Sequence, residues 1–229
     1  METILVIAAH PDDEVLGCGG TIAKHLQNGD QVHILIVAEG STSRDLHRDP
    51  QKHQTQLSAL AIAAHQASQI LGGAILNFEQ LPDNRLDSLD LLDVVKIIEK
   101  HIERVKPTII YTHHYGDLNI DHQIVHRAVL TATRPLPDSS IKIVLAFEVP
   151  SSSEWQFTDP SANFSPNWFV DISQTLDIKL KALSVYSSEM REFPHPRSLE
   201  AVQNLTKWRG ATVGVPAAEA FTLIRNTLF

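Results

Sequence analysis

Apolar residues fall along this chain in short runs that alternate with stretches of helical period. Residues 4–8, Ile-Leu-Val-Ile-Ala, form an unbroken apolar run of strand length, the mark of a strand buried on both faces of a parallel sheet. Residues 21–26 follow as a helix-like segment closed by Asn28-Gly29. A second strand is predicted over 31–38. A polar stretch over 45–56 then opens a helix that runs to Leu71 and stops at Gly72-Gly73. Residues 74–78 predict a third strand, ended by the turn-rich Leu81-Pro82-Asp83-Asn84. Over 89–105 the apolar positions 91, 92, 94, 95, 97, 98 and 102 recur at helical spacing, and Lys106-Pro107 stops the pattern. A fourth strand over 108–112, a helix over 123–133 and a fifth strand over 141–149 come next. After an irregular region through Pro166 there is a strand over 168–172, helices over 172–186 and 199–209, and a short terminal element over 217–228. Alternating strands and helices predict an α/β three-layer sandwich with a mostly parallel sheet.

Composition narrows the choice. At 229 residues and 43% hydrophobic content the chain can bury one sizeable core, so residues 1–229 are expected to form a single domain. No repeat, low-complexity tract or linker divides it. The formal charge of −8 argues against nucleic acid or an anionic membrane as partner. No apolar run reaches membrane-spanning length, and the amino terminus lacks the basic region of a signal peptide. The lone Cys18 can form no intrachain disulfide, which fits a reducing cytoplasm, and it reads as a small packing residue.

The candidate chemistry sits where strands end. Directly after the first strand come His10-Pro11-Asp12-Asp13-Glu14, at the kind of crevice where open α/β sheets bind ligands. His10 and Asp13 are three apart, which lets an imidazole nitrogen and a carboxylate oxygen converge on one metal ion, and zinc accepts both. Asp12 and Glu14 remain as a base or as supports of the ligands. The plainer alternative is a solvated acidic turn capping the next helix. A second polar cluster, 113–122, follows the fourth strand. There His122 and His126 are four apart; His122 lies nearer the crevice, and His126 reads as a packed or hydrogen-bonded histidine. Asn119 or Asp121 is placed to cap the following helix. Arg44, after the second strand, suits an anionic or hydroxyl-rich substrate as well as it suits a surface loop. In the polar loop 189–198, Pro194 and Pro196 bracket His195 and stiffen it. The loop reads either as a turn or as an arm over the crevice, from its own or a neighbouring subunit, with His195 near the reacting group and Arg197 on substrate oxygens.

Ala-His-Pro-Asp-Asp-Glu after the first strand and Asp-Leu-Asn-Ile-Asp-His after the fourth resemble the PIG-L/LmbE-like zinc-dependent N-deacetylases. The segments Ser-Glu-Met-Arg-x-x-Pro-His-Pro-Arg-Ser and Ala-Glu-Ala-Phe are similar to a bacterial branch of that family tied to sugar metabolism. The resemblance implies a Rossmann-like fold and hydrolysis of an N-acetyl group from an amino sugar or its conjugate, of the N-acetylglucosamine type. It implies one zinc per chain, or another divalent metal, on His10, Asp13 and His122, with Asp12 as general base. It also implies a homo-oligomer. Many members carry a histidine where this chain has Asn119, and an Arg and a Glu at the spacing of Leu60 and Ala63. The oxyanion is then left to Asn119, Tyr115 or His195, and substrate contact to Arg44, Tyr115 and Arg197. A metal-dependent hydrolase of another small amide or ester is the alternative. A degenerate binding protein is a second. A metal-free dinucleotide-binding protein fits worse, because Gly17-x-Gly19-Gly20 lacks the required glycine spacing.

Overall fold

A computed structural model of the chain describes residues 1–157 and 159–227. Its seven-stranded sheet has the order β3-β2-β1-β4-β5-β7-β6. The strands are β1 (Thr3–Ala8), β2 (Gln31–Ala38), β3 (Ile75–Leu81), β4 (Ile109–His113), β5 (Ile143–Phe147), β6 (Trp168–Asp171) and β7 (Ala218–Asn226). The first five are mutually parallel; β7 runs antiparallel to both β5 and β6. The helices are α1 (Asp13–Gln27), α2 (Gln54–Leu71), α3 (Leu91–Val105), α4 (Ile120–Ala132), α5 (Leu176–Ser184) and α6 (Leu199–Val213). This is the expected Rossmann-like α/β sandwich. No helix among the described residues is long and apolar enough to cross a membrane.

Strand period explains the two cores. Ile4 and Val6 of β1 join Val32, Ile34 and Ile36 of β2 in one apolar cluster, with side chains of α1, α2 and α5. The alternate residues Leu5, Ile7, Leu35 and Val37 face the opposite layer, formed by α3 and α4. Every residue from Ile4 to Ala9 is 0% exposed, so β1 is the central rod of the molecule. Its neighbours β2 and β4 were reached by crossovers in opposite directions, which opens a crevice between the carboxyl ends of β1 and β4.

Element boundaries differ from expectation at informative places. β2 spans 31–38 as expected, but α1 begins at Asp13, eight residues before the predicted helix, and runs straight through the glycine cluster. Gly17 is required there: a Cβ on it would lie 2.3 Å from the Phe147 ring. Close packing bends the helix at Cys18, whose φ/ψ of −146°/25° is not helical. The bend releases backbone N–H groups, and Glu219 of β7 accepts them from Gly20 at 2.9 Å and Thr21 at 2.6 Å. Lys179 of α5 completes the repair, donating to Glu219 at 2.5 Å and to the Leu16 carbonyl at 2.8 Å. Both side chains are 2% exposed. Similarly α4 starts at Ile120 rather than at 123, capped by Asn119, whose side chain accepts from the Asp121 N–H. β7 occupies most of the expected terminal element; Leu228 lies outside the described residues.

Candidate active site

The turn after β1 is held by its own side chains. The His10 N–H donates to Asp13 Oδ2 at 2.8 Å, and the Asp12 N–H donates to Glu14 Oε2 at 3.0 Å. Glu14 also accepts from the Tyr186 hydroxyl at 2.5 Å. Asp12, squeezed between these contacts, takes φ 114°, a left-handed value that costs a non-glycine residue free energy. The strain aims its carboxylate, which caps nothing in α1, into the crevice.

The crevice brings the two strand ends together. His10 Nδ1 lies 3.2 Å from Asp13 Oδ2, and His122 Nε2, at the start of α4, lies 3.1 Å from the same oxygen. Each imidazole has a carboxylate behind it. His10 Nε2 is 3.0 Å from Asp121 Oδ2 and 3.3 Å from Asp83 Oδ1, and His122 Nδ1 is 3.1 Å from Asp117 Oδ1. One donor atom each from His10, Asp13 and His122 falls within 4.8 Å of the others. Asp13 Oδ1 is buried with no hydrogen-bond partner, and both His122 nitrogens, although close to carboxylates, are misaligned for hydrogen bonds with them. Buried polar atoms left unpaired are costly. A divalent cation at this point would satisfy Asp13 Oδ1 and His122 Nε2, with His122 Nδ1 left facing Asp117, and nitrogen and oxygen donors of this kind suit it.

His10, Asp83 and Asp121 form a second close trio. Those carboxylates already have work elsewhere. Asp83 Oδ2 accepts the N–H groups of Ser41 and Ser43, and Asp121 accepts those of Asn84 and Leu86. Their remaining lone pairs face His10 Nε2, orienting the ring so that Nδ1 points to Asp13, the arrangement that tunes metal-binding histidines.

Charge follows from this crowding. Burial pulls the His122 pKa down, but the charges of Asp13 and Asp117 outweigh it and raise the group to about 9. His10 is likewise raised well above its ordinary value, burial being overcome by hydrogen bonds to Asp121, Asp13 and Asp83. His113, stacked on His122 at 3.8 Å between ring centroids, goes the other way, lowered by burial and by His122. Its Nε2 accepts the Ala9 N–H at 2.8 Å and is not free to bind a metal. Asp12 is pushed up to about 8, burial outweighing the opposing pull of Arg197. A carboxyl poised near neutrality suits a general base.

Arg197 arrives from the far end of the chain. Its Nη1 donates to Asp12 Oδ2 at 3.0 Å and its Nε to Ser151 Oγ at 2.7 Å. Glu189 stands 3.9 Å from Arg197 and accepts from Arg44 at 3.0 and 3.2 Å. The loop expected to reach over the crevice therefore does so within the same chain. Arg44, Asn119 and Arg197 line one cleft of about 120 Å³ with His10 and Asp12.

Two expected residues are not among those lining the cleft. Tyr115 is half exposed, and its hydroxyl donates to the Ser161 carbonyl. It is carried there because Gly116 lies flat against Ala162, where a Cβ would come within 2.0 Å of the carbonyl oxygen. His195 packs edge-on against Trp155, with ring centroids 5.9 Å apart, and its Nδ1 accepts the Arg197 N–H at 3.1 Å. It thus braces the arginine from behind. His126 hydrogen-bonds the His113 carbonyl at 2.8 Å and Cys18 is fully buried, both in the structural roles expected. Sequence reasoning missed Asp83, Asp117 and Asp121 as supports of the histidines. Asp117 and Asp121 stood within the polar cluster after β4, and that was their only signal.

A crevice at the switch of an α/β sheet, with two histidines, a carboxylate donor and a second carboxylate beside them, offers the donor set of a divalent-metal site. Residues 5–133 match the GlcNAc-PI de-N-acetylase (PIG-L) family. The chain is 31% identical over 192 residues to the uncharacterized deacetylase YaiS of Escherichia coli K12, covering 81% of this chain and 90% of that protein. It is 26% identical over 197 residues to diacetylchitobiose deacetylase of Thermococcus kodakarensis, covering 84% and 72%. Among solved structures, the hydratase GalB of Pseudomonas putida KT2440 superposes with a TM-score of 0.77 at 23% identity, covering 100% of this chain and 98% of that one, a likeness of fold. The chain belongs to the PIG-L family.

Proposed function

We propose that the protein hydrolyses the N-acetyl group of an amino sugar or sugar conjugate with one zinc ion per chain. The reading is supported above all by the convergence of His10, Asp13 and His122 beside Asp12 in the β1/β4 crevice. His10 Nδ1, Asp13 and His122 Nε2 would hold the ion. When bound, zinc supplies positive charge that polarises an amide carbonyl and acidifies water.

The remaining steps belong to the chain's own residues. Asp12 accepts a proton from the attacking water, whose oxygen bonds to the carbonyl carbon. The C–N bond then breaks, and the same carboxyl returns its proton to the leaving amine, giving free amino sugar and acetate. Arg197 fixes the Asp12 oxygen and brings a fixed positive charge to the cleft in which oxyanion charge develops. Asn119 and Arg44 stand on the cleft wall for contacts to the amide or sugar.

The experiment is a panel of N-acetylated sugars and conjugates incubated with metal-loaded and chelator-treated protein, with free amine and acetate measured together. Stoichiometric release of both, lost with chelator and restored by zinc, is expected. Absence of release from every member of the panel by loaded protein would contradict the reading.

A further inference from the structure

The chain leaves β5 through Glu148 and Val149 and enters three consecutive serines, Ser151 to Ser153, after Pro150. The turn they form is tightly anchored. Glu148 accepts from Arg209 of α6 at 2.8 and 2.6 Å. The Val149 carbonyl accepts the N–H groups of Ser152 and Ser153 at 3.2 and 3.0 Å. The Glu154 carboxylate accepts those of Ser151 and Ser152 at 2.6 and 3.2 Å. Ser151 stands at φ 71°, a left-handed value that glycine would adopt without strain. What serine adds there is a hydroxyl.

The three hydroxyls serve the two halves of the crevice. Ser151 Oγ accepts from Nε of Arg197, whose Nη1 holds Asp12. Ser152 Oγ donates to Asp117 Oδ1, and Ser153 Oγ donates to Asp117 Oδ2 at 2.6 Å. Asp117 Oδ1 in turn lies 3.1 Å from His122 Nδ1. Asp117, Ser152 and Ser153 are buried, so water is kept from these bonds. One anchored turn therefore reaches, through one residue each, the carboxylate proposed to move a proton and a histidine proposed to hold the metal.

We propose that Ser151 and Ser152 are positioning residues with separate duties. Ser151 sets Arg197 against Asp12 and so governs turnover; Ser152 sets Asp117 against His122 and so governs metal affinity. The inference rests on the deacetylase reading above, whose residues the turn orients. A guanidinium is planar, so a bond at Nε fixes the plane in which Nη1 meets Asp12. A carboxylate held at both oxygens keeps one of them facing the histidine, the support on which metal-binding imidazoles depend.

Zinc affinity by chelator competition and amine release by kinetics are measured on wild type, Ser151→Gly, Ser151→Asn and Ser152→Ala. Ser151→Gly should lower kcat and kcat/KM together by about fivefold or more, the scale of one hydrogen bond to a charged group. Its zinc affinity should stay within about twofold of wild type. Asparagine tolerates positive φ and carries an oxygen that can accept from Arg197, so Ser151→Asn should regain much of the loss. Ser152→Ala should weaken zinc by about fivefold or more. Each loss should vanish where its intermediary is already gone: Ser151→Gly in an Arg197→Ala background, and Ser152→Ala in an Asp117→Ala background. Wild-type turnover in Ser151→Gly, wild-type zinc affinity in Ser152→Ala, a full further loss in either double variant, or weakened zinc in both single variants overturns the proposal. Should the wild type release no amine from any N-acetylated sugar, the deacetylase reading fails by itself. Zinc affinity and exchange of the Arg197 Nε–H proton then decide the serines. Slow exchange in wild type and Ser151→Asn, fast exchange in Ser151→Gly and weakened zinc only in Ser152→Ala support them; any other pattern removes them.

Discussion

Arg197 and Asp12 are 185 positions apart in sequence, and the guanidinium of one donates to the carboxylate of the other at 3.0 Å. The contact ties the loop before α6 to the strained turn after β1. It places a permanent cation beside an acid that burial, and after it the neighbouring carboxylates, push up to about 8, and the cation opposes that rise. Removing the cation therefore raises the Asp12 pKa further. Arg197→Ala should move the acidic limb of the kcat/KM profile to higher pH, cutting activity at pH 7 by about tenfold for every pH unit that the limb moves. Arg197→Lys, which keeps the charge, should move it less. A pH–rate profile of both variants checks this; an unmoved limb in Arg197→Ala would show that Asp12 does not depend on the arginine.

Metal and protons compete for the same atoms. In the metal-free protein His122 titrates at about 9 and His10 is raised well above its ordinary value, so both hold protons at pH 7. Loading must expel them, and apparent zinc affinity should rise with pH and level off above about 9. Calorimetry in buffers of different ionisation enthalpy reads the released protons directly. The same raised pKa values bear on stability. A histidine pKa raised by folding contributes stability that is full below its unfolded value and lost as pH rises through the folded one. Metal-free protein should thus lose melting temperature between about pH 6.5 and 9, and metal-loaded protein should lose less.

Asp117 touches His122 on the side away from Asp13. Asp117→Asn keeps the shape of the side chain and removes its charge. Zinc affinity should fall by about 10- to 100-fold, the usual cost of losing a carboxylate behind a metal-binding histidine. Competition with a chromophoric chelator measures it; unchanged affinity would leave Asp117 with its bonds to Ser152, Ser153 and the Asn119 N–H.

The Lys179–Glu219 pair should govern stability rather than chemistry. Lys179→Met leaves the Glu219 carboxylate buried without its cation, at a cost of about 3–5 kcal/mol. Lys179→Met combined with Glu219→Gln should recover part of that, because the buried charge is gone and the amide oxygen still accepts one of the two N–H groups of the bent helix. Denaturant unfolding of the two variants tests the ordering.

How much of this was legible depends on how local the cause is. β1 and β2 could be read because burial on both faces demands continuous apolar runs, and β2 agrees to the residue. The start of α1 could not, since Gly17-Cys18-Gly19-Gly20 has the composition of a helix breaker. What keeps it helical is Phe147, which demands a glycine, and Glu219, which repairs the bend; both lie far off in sequence. The insertion of β7 between β5 and β6 has no local signal either. In the crevice, His10, Asp13 and His122 were visible because each follows the end of a strand or begins the next helix. Arg197 stood out as a residue of an unusual loop, but its contact with Asp12 was not foreseen. Tyr115 was expected in the crevice because it follows β4. The demand of Gly116 for space against Ala162 turns it away, and that demand belongs to the tertiary structure alone.

The division of labour between two adjacent aspartates is the centre of the proposed mechanism: Asp13 holds metal and Asp12 moves a proton. Metal content and turnover measured on the same preparations of wild type, Asp12→Asn and Asp13→Asn test it most directly. Wild type and Asp12→Asn should each carry one zinc per chain, with turnover in Asp12→Asn reduced by about 100-fold or more, while Asp13→Asn should lose most of its metal. Loss of zinc from Asp12→Asn with retention in Asp13→Asn would contradict the assignment.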